Sequence, residues 1–339
     1  FSDPISDIEV FDKLQFLRTF LAIDFKDSPF NKENAPGIVV SKLKCLRVLS
    51  FRDFESLDVL SDSISKLIHL RYLNLSGTSI KTLPESLCNL YNLQTLVLSG
   101  CKMLTRLPTD MQNLVNLCHL RIGGTPIKEM PRGMGMLRHL QHLDVFIVGK
   151  HQENGIKELG TLSNLHDSLS IRNLENVIRS NEALEARMVD KNIDELWLEW
   201  SNGTDFQIEL DVLCKLKPHQ GLGILSIRGY NGSIFPDWVG NFSYRMTELK
   251  LINCSNCCEL PSLGQLPSLK RLYIATLNSV KTVDAGFYKN KDCRSVTPFS
   301  SLVTLEINDM CCWELWSTPE SDAFPLLKSL YIWNCPKLR

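Results

Sequence analysis

The sequence predicts an α/β solenoid, a curved parallel sheet on the concave side with short helices and loops on the convex side. Three observations predict it. An apolar phrase recurs every 23 or 24 residues, Leu and Ile fall at alternate positions inside it, and each clear copy is followed by a return stretch punctuated by proline. Self-similarity at such a period marks a chain that stacks one small structural unit on the next.

The phrase is clearest as LRYLNL (70–75), LQTLVL (93–98), LCHLRI (117–122) and LQHLDV (140–145), led three residues earlier by Leu67, Leu90, Leu114 and Leu137. The frame runs back through Leu43, Leu46, Leu49 and Phe51, and more faintly through Leu14, Leu17 and Phe20. Forward it loosens. It passes through Leu169, Leu196, Leu225, Leu249, Leu272 and Leu305 to Leu330, for about thirteen repeats in all. The L-x-L step predicts a short strand, because alternate side chains of a strand point to one face and the Leu residues can then share a core. Five places after the first Leu of that step stands a polar or small residue, Thr78, Cys101, Thr125, Cys254 or Cys335, which turns the chain off the strand. This is the asparagine-or-cysteine position of a leucine-rich repeat. The returns SIKTLPESLCNL (79–90), MLTRLPTDMQNL (103–114) and PIKEMPRGMGML (126–137) each carry a proline that ends the extended part.

The period divides the chain into a degenerate first repeat and loop over 1–42, regular repeats over 43–145, insertion-bearing repeats over 146–195 and irregular repeats over 196–339. Segments 146–161, 172–195, 199–221 and 275–298 are over-long and are expected to bulge from the solenoid, with a short helix over 181–191 from its good helix formers. The last repeat stops after its turn, without a return, so the natural protein is expected to continue beyond Arg339 and to begin before Phe1.

Hydrophobic residues make up 44% and charged residues 22%, which supplies a core and gives no disorder signature. Residues 41–150 carry 14 Lys and Arg against 8 Asp and Glu, whereas 151–339 carry 19 against 23. This split suggests different partners for the two parts and is too weak for a nucleic-acid groove. No apolar run approaches a membrane span, and FSDPISDIEV lacks the basic and apolar start of a signal peptide. Twelve cysteines without paired spacing favour free thiols in a reducing, intracellular compartment.

Residues flanking the Leu positions of each strand should face the concave side. Among them are Tyr72, Asn74, Ser76, Thr95, Val97, Asp144, Phe146, Glu248 and Lys250. Trp, Tyr and Arg dominate interface hot spots, which selects Trp197, Glu199, Arg228, Arg271, Tyr273, Tyr331 and Trp333 as the protein-binding face. The alternative is that these aromatics tile against neighbouring strands and only stabilise the sheet. The basic early repeats offer Arg121, Lys128, Arg132 and Arg138 as an intramolecular docking set.

The residues give little to catalysis. Cys254-x-x-Cys257-Cys258 and Cys311-Cys312 suggest zinc, but Cys254 sits at the turn position and Cys257 at a core position, so packing accounts for both. His119 and His142, read as lying on strands one removed from each other, could face one surface, but the sequence offers no general-base arrangement around them. No catalytic, cofactor or metal residue is predicted. The sequons at Asn74, Asn202, Asn231 and Asn241 would serve an extracellular receptor, against which the free thiols argue.

The phrases LRYLNLSGTSIKTLPESLCNLYNLQTLVLSGC (70–101), LPTDMQNLVNLCHLRIGGTPIKEMPRGMGMLRHLQHLDVFIVGK (107–150), NIDELWLEW (192–200), RGYNGSIFPDWVGN (228–241) and SLGQLPSLKRL (262–272) resemble the leucine-rich-repeat region of plant intracellular disease-resistance proteins, the coiled-coil type with a central NB-ARC nucleotide-binding domain. The resemblance implies a sensor that binds a pathogen effector or a guarded host protein and restrains its own nucleotide-binding domain. ADP or ATP would belong to that domain, since no G-x-x-x-x-G-K-[ST] loop occurs here. A general intracellular adaptor with the same repeats is the alternative.

Overall fold

The computed structural model describes residues 13–22, 35–201, 205–288, 297–317 and 323–339. The chain divides into two compact units, one comprising Phe1–Asn154 with Thr161–Leu165, the other Gly155–Gly160 with His166–Arg339.

In the first unit β1 (Thr19–Leu21), β2 (Val48–Ser50), β3 (Tyr72–Asn74), β4 (Thr95–Val97), β5 (His119–Arg121) and β6 (His142–Leu143) pair in chain order as a parallel sheet. Register places Leu49, Leu73, Leu96, Leu120 and Leu143 side by side. All five are buried, each contributing roughly 1.5–3 kcal/mol of apolar burial. The returns close in 3-10 turns at Asp62–Lys66, Glu85–Asn89, Met111–Asn113 and Met134–Met136, whose Ile64, Leu87, Met111 and Met134 complete the core.

The strand exit has a backbone rule that hydrophobic patterning did not reveal. The residue just before the turn position adopts a left-handed conformation at Asp53, Gly77, Gly100, Gly124, Asn173, Gly229, Asn253, Thr276, Asp309 and Asn334, with φ between 52 and 75°. Such geometry costs an ordinary residue about 1–2 kcal/mol, so Gly and the locally hydrogen-bonding Asn and Asp fill most of these places. The next residue then drops into the core. Thr78 and Thr125 donate to the carbonyls of Leu75 and Ile122 at 2.7 Å, and the Cys101 thiol donates to Leu75 at 3.0 Å. Size is freer there than expected: Phe54, Leu174, Tyr230, Leu277 and Met310 occupy the same position and are buried.

After β7 (Val145–Ile147), the second unit carries β8 (His166–Arg172), β9 (Asn192–Glu199), β10 (Ile224–Arg228), β11 (Glu248–Ile252) and β12 (Arg271–Ala275), joined by β14 (Thr304–Asn308) and β16 (Ser329–Trp333). From β8 to β16 these pair in parallel, while β13 (Thr282–Val283) and β15 (Leu315–Trp316) form a separate small sheet behind. An aromatic cluster fills the same unit, with Phe287 against Phe299 at 4.9 Å, Phe299 stacked on Phe324 at 5.0 Å, and Trp316 donating to the Tyr288 hydroxyl at 2.6 Å.

Four expectations change. Over-long segments 172–195 and 199–221 do not bulge away where they are described, since Leu174, Ala183, Met188, Val212, Leu213 and Leu216 are all buried, while 289–296 of the segment 275–298 lies outside the described residues. Helix Ser180–Glu185 is set between the 3-10 turns Leu174–Asn176 and Met188–Asp190, and helix Phe206–Lys215 forms the next return. The helix expected over 181–191 ends at Glu185, because Arg187 takes φ 52° and breaks the hydrogen-bond ladder. Phe146 is a core residue with no exposed surface, since the chain enters β7 there and all three of its residues are buried. His119 and His142 lie on directly paired strands, their rings stacked at 4.6 Å.

Candidate protein-interaction faces

The outward side of the second unit's sheet is built by register. One row runs Ser170, Trp197, Ser226, Lys250, Tyr273, Glu306, Tyr331. Its neighbours within each strand are the buried Leu and Ile rows, so these side chains face away from the core. Trp197 and Tyr273 are half-buried, and Tyr331 and Trp333 are 45% and 64% exposed. Three strand steps, about 14 Å, separate Trp197 from Tyr273. The aromatics therefore stand apart, interleaved with charge, and among the described residues none of the four makes a ring–ring contact.

Charge is organised across the same face. Glu248, only 9% exposed, receives Lys250 Nζ at 2.6 Å and Arg271 Nε at 2.6 Å. Burial raises its pKa, but the hydrogen bonds and charges of Lys250 and Arg271 outweigh that and hold the carboxyl below its usual range. Glu199 pairs with Arg172 at 3.2 Å. Arg228 is exposed, beside Glu199 in the register. Of the seven predicted residues, Arg271 is thus committed to an ion cluster, and Glu248 and Lys250 complete it.

In the first unit an open groove of about 1050 Å³ crosses β3 to β5, lined by Tyr72, Asn74, Thr95, Val97, His119 and Arg121. Asn74 is held there by Ser76, which donates to its side-chain oxygen, and Asp144 accepts from the backbone of Ile122 and Gly123 at 2.9 and 2.8 Å. Both are fixed to the scaffold.

The four predicted docking residues do not share a strand face. Arg121 borders the groove, whereas Lys128, Arg132 and Arg138 lie on the return between β5 and β6, and Arg132 pairs with Glu153 at 2.6 Å. Arg138 instead belongs to a lateral edge that sequence reasoning missed. The residue following Leu67, Leu90, Leu114 and Leu137 is Ile68, Tyr91, Val115 and Arg138, with Ile68 and Tyr91 58% and Val115 48% exposed. Asn92, Asn116 and Asn164 donate to the carbonyls of Ile68, Tyr91 and Arg138 at 2.7–2.9 Å and lock the edge repeat to repeat. Every charged side chain in segments 42–47, 66–71, 89–94, 113–118 and 136–141 is basic: Lys42, Lys44, Arg47, Lys66, Arg71 and Arg138, with His69 and His139. Burial and the nearby Lys66 hold Lys44 below its usual pKa. The signal was available in the sequence, at the position after each return-side Leu.

The described cysteines are all free. Cys254 and Cys257 are buried, and burial pushes the Cys254 thiol up to about 12. Cys311 and Cys312 share a long thiol hydrogen bond at 3.9 Å and no disulfide. The sequon residue Asn202 lies outside the described residues.

A model of the leucine-rich repeat region matches residues 29–337. The chain belongs to this leucine-rich-repeat family. Its relatives bear out the resemblance read from the sequence. A protein of Arabidopsis thaliana named for disease resistance is 41% identical over 96% of this chain and 24% of its own length. An RPP13-like protein named for disease resistance in the same plant is 36% identical over 100% and 34%, and the disease resistance protein RGA2 of Solanum bulbocastanum 35% over 81% and 32%. The chain thus spans a quarter to a third of these relatives. Among solved structures, an internalin from Listeria monocytogenes aligns with a TM-score of 0.55 at 17% identity over 86% of this chain and 75% of that one. The leucine-rich-repeat ectodomain of the Arabidopsis thaliana membrane receptor kinase GASSHO1/SCHENGEN3 aligns at 0.54 and 18% over 86% and 33%. These two likenesses concern the fold alone. Among the described residues no helix is long and apolar enough to cross a membrane.

Proposed function

We propose that this leucine-rich-repeat region is the sensing and restraining part of an intracellular disease-resistance receptor, acting by binding and not by catalysis. The observation that carries the reading is the outward row of the second unit, in which Lys250 stands between Trp197 and Tyr273 and Glu306 between Tyr273 and Tyr331, with Lys250 tied to the Glu248 and Arg271 pair of the adjoining row. Isolated aromatic anchors separated by charge suit recognition of a folded protein, because each ring brings contact area at little entropic cost and the charges set register. The partner is a pathogen effector or a guarded host protein. The basic lateral edge of the first unit, with Arg121 beside the groove, docks the receptor's own nucleotide-binding domain. The free thiols suit a reducing cytoplasm.

In the full-length receptor, Trp197→Ala with Tyr273→Ala should abolish the triggered response and leave basal signalling unchanged. Arg121→Glu with Arg138→Glu should raise basal signalling, and no change there would sink the docking half of the proposal. The alternative, a general adaptor on the same scaffold, is decided by the upstream reading frame: a phosphate loop within about 350 residues, roughly two domains, supports the receptor.

A further inference from the structure

The return face of the second unit holds a groove of about 520 Å³ that the sensing and docking faces do not use. It forms where the 3-10 turns Asp237–Gly240 and Leu263–Gln265 pack together. Gly240 permits that packing, since a Cβ there would stand 2.9 Å from the Ser262 carbonyl oxygen. The volume is ordinary for a binding pocket, about 300–1000 Å³.

Three features define what would fill it. Gln265 lines the groove and is 7% exposed, yet its amide nitrogen has no hydrogen-bond partner. A buried amide donor left unmade is unfavourable, and a ligand carbonyl would satisfy it. Among the described residues, the charged side chains lining the groove are Asp237 and Glu259, both exposed carboxylates. Part of the remaining wall is apolar and stiff, with Ile234 and Phe242 47% and 60% exposed beside Pro236 and Pro261, and Asn241 and Ser262 add polar surface.

We propose that this groove binds a short extended peptide segment. Such a segment would rest an apolar side chain on Ile234 and Phe242, direct an adjacent Lys or Arg to Asp237 and Glu259, and present a backbone carbonyl to the Gln265 amide. Carbonyl acceptor, apolar side chain and cation within one short stretch are what a peptide supplies, and the two exposed carboxylates of the rim select the basic residue. The site goes beyond the sensing face and uses none of its residues.

The test pans a random heptapeptide phage library against the 339-residue chain and titrates the enriched peptide, fluorescently labelled, into purified variants. Lys or Arg next to a large apolar residue should be enriched. The double variant Asp237→Asn with Glu259→Gln should weaken binding about tenfold or more, and Gln265→Met about fivefold. The carboxylate variants should keep the thermal midpoint, since both side chains are exposed, and Trp197→Ala should bind as the wild type does. Enrichment without a basic and apolar pair, binding that the groove variants leave intact, or binding that Trp197→Ala abolishes would each overturn the proposal.

Discussion

The two units solve the strand exit differently. In the regular repeats of the first unit, three-residue strands such as Tyr72–Asn74 and Thr95–Val97 end at Thr78, Cys101 and Thr125, small residues whose Oγ or Sγ atoms bond backbone carbonyls. In the second, strands of five residues or more lead to the buried Tyr230, Leu277 and Met310, although Cys254 keeps the small form. Strand length alone does not set the exit residue's size, since the buried Phe54 follows a three-residue strand and Cys254 and Cys335 follow strands of five. The longer strands do widen the outward face: β11 presents Glu248, Lys250 and Ile252 where β3 presents Tyr72 and Asn74. One repeat rule therefore yields a narrower outward face in one region and a broader one in the other.

The strongest way to break this contrast is to give the second unit the first unit's exit. Tyr230 is fully buried, its ring 5.4 Å from Trp200 and 5.5 Å from Phe235, and its hydroxyl donates to the Ile234 carbonyl at 2.7 Å. Tyr230→Thr should cost about 3–5 kcal/mol, read by urea unfolding. The equivalent swap of one small residue for another, Cys101→Thr, should be nearly silent.

Lys191, 1% exposed on the return side of the second unit, tests whether the helical returns are truly closed. Burial first, and then the Arg187 charge, lower its pKa from 10.5 to about 8, against a smaller opposing pull from Asp190. The fold disfavours the charged form, so the penalty is full below about pH 8 and fades as pH rises toward 10.5, where the unfolded lysine also deprotonates. Lys191→Met should raise stability at pH 7 by about 1–3 kcal/mol, and the gain over wild type should shrink by pH 10.5. A gain independent of pH would mean that the site is wet.

A smaller effect separates the left-handed residues. Gly100 sits at φ 72°, and a Cβ there would lie 3.8 Å from Gly77, so there is room but the backbone is unfavourable for an ordinary side chain. Gly100→Val should cost about 1–2 kcal/mol. Gly100→Asn should cost less, because Asn253 and Asn334 hold the same place in the second unit. Equal losses in a thermal melt would show that the two exits are not equivalent.

Much of the fold was legible because Leu at alternate positions can mean little else when it recurs at a fixed period: the strands fall where the L-x-L steps place them. The left-handed residue was not, since Gly, Asn, Asp and Thr share no hydrophobic signature, only a tolerance of positive φ. Nor was the role of Tyr230, Leu277 and Met310, which hide among apolar residues once the exit is read as a small-residue position. The helix over 181–191 was legible from its good helix formers but not its end, because Arg187 interrupts them with a backbone turn that propensity does not register, and the helix Phe206–Lys215 was not foreseen. Strand parity placed Trp197, Tyr273 and Tyr331 on the sheet's outer face. It could not show that Arg271 is tied to Glu248, or that Arg138 belongs with Ile68, Tyr91 and Val115 and not with Arg121. Those groupings depend on contacts between repeats.

The division of labour between a docking first unit and a sensing second unit is tested most directly by binding in trans. The purified chain would be titrated with the nucleotide-binding domain of the same receptor, comparing wild type, Arg71→Glu with Arg138→Glu, and Trp197→Ala with Tyr273→Ala. The account predicts that the lateral-edge pair weakens binding about tenfold or more, with a salt dependence the wild type shows and the variant lacks, while the aromatic pair leaves the affinity unchanged. Equal loss in both variants, or loss in the aromatic pair alone, would contradict it.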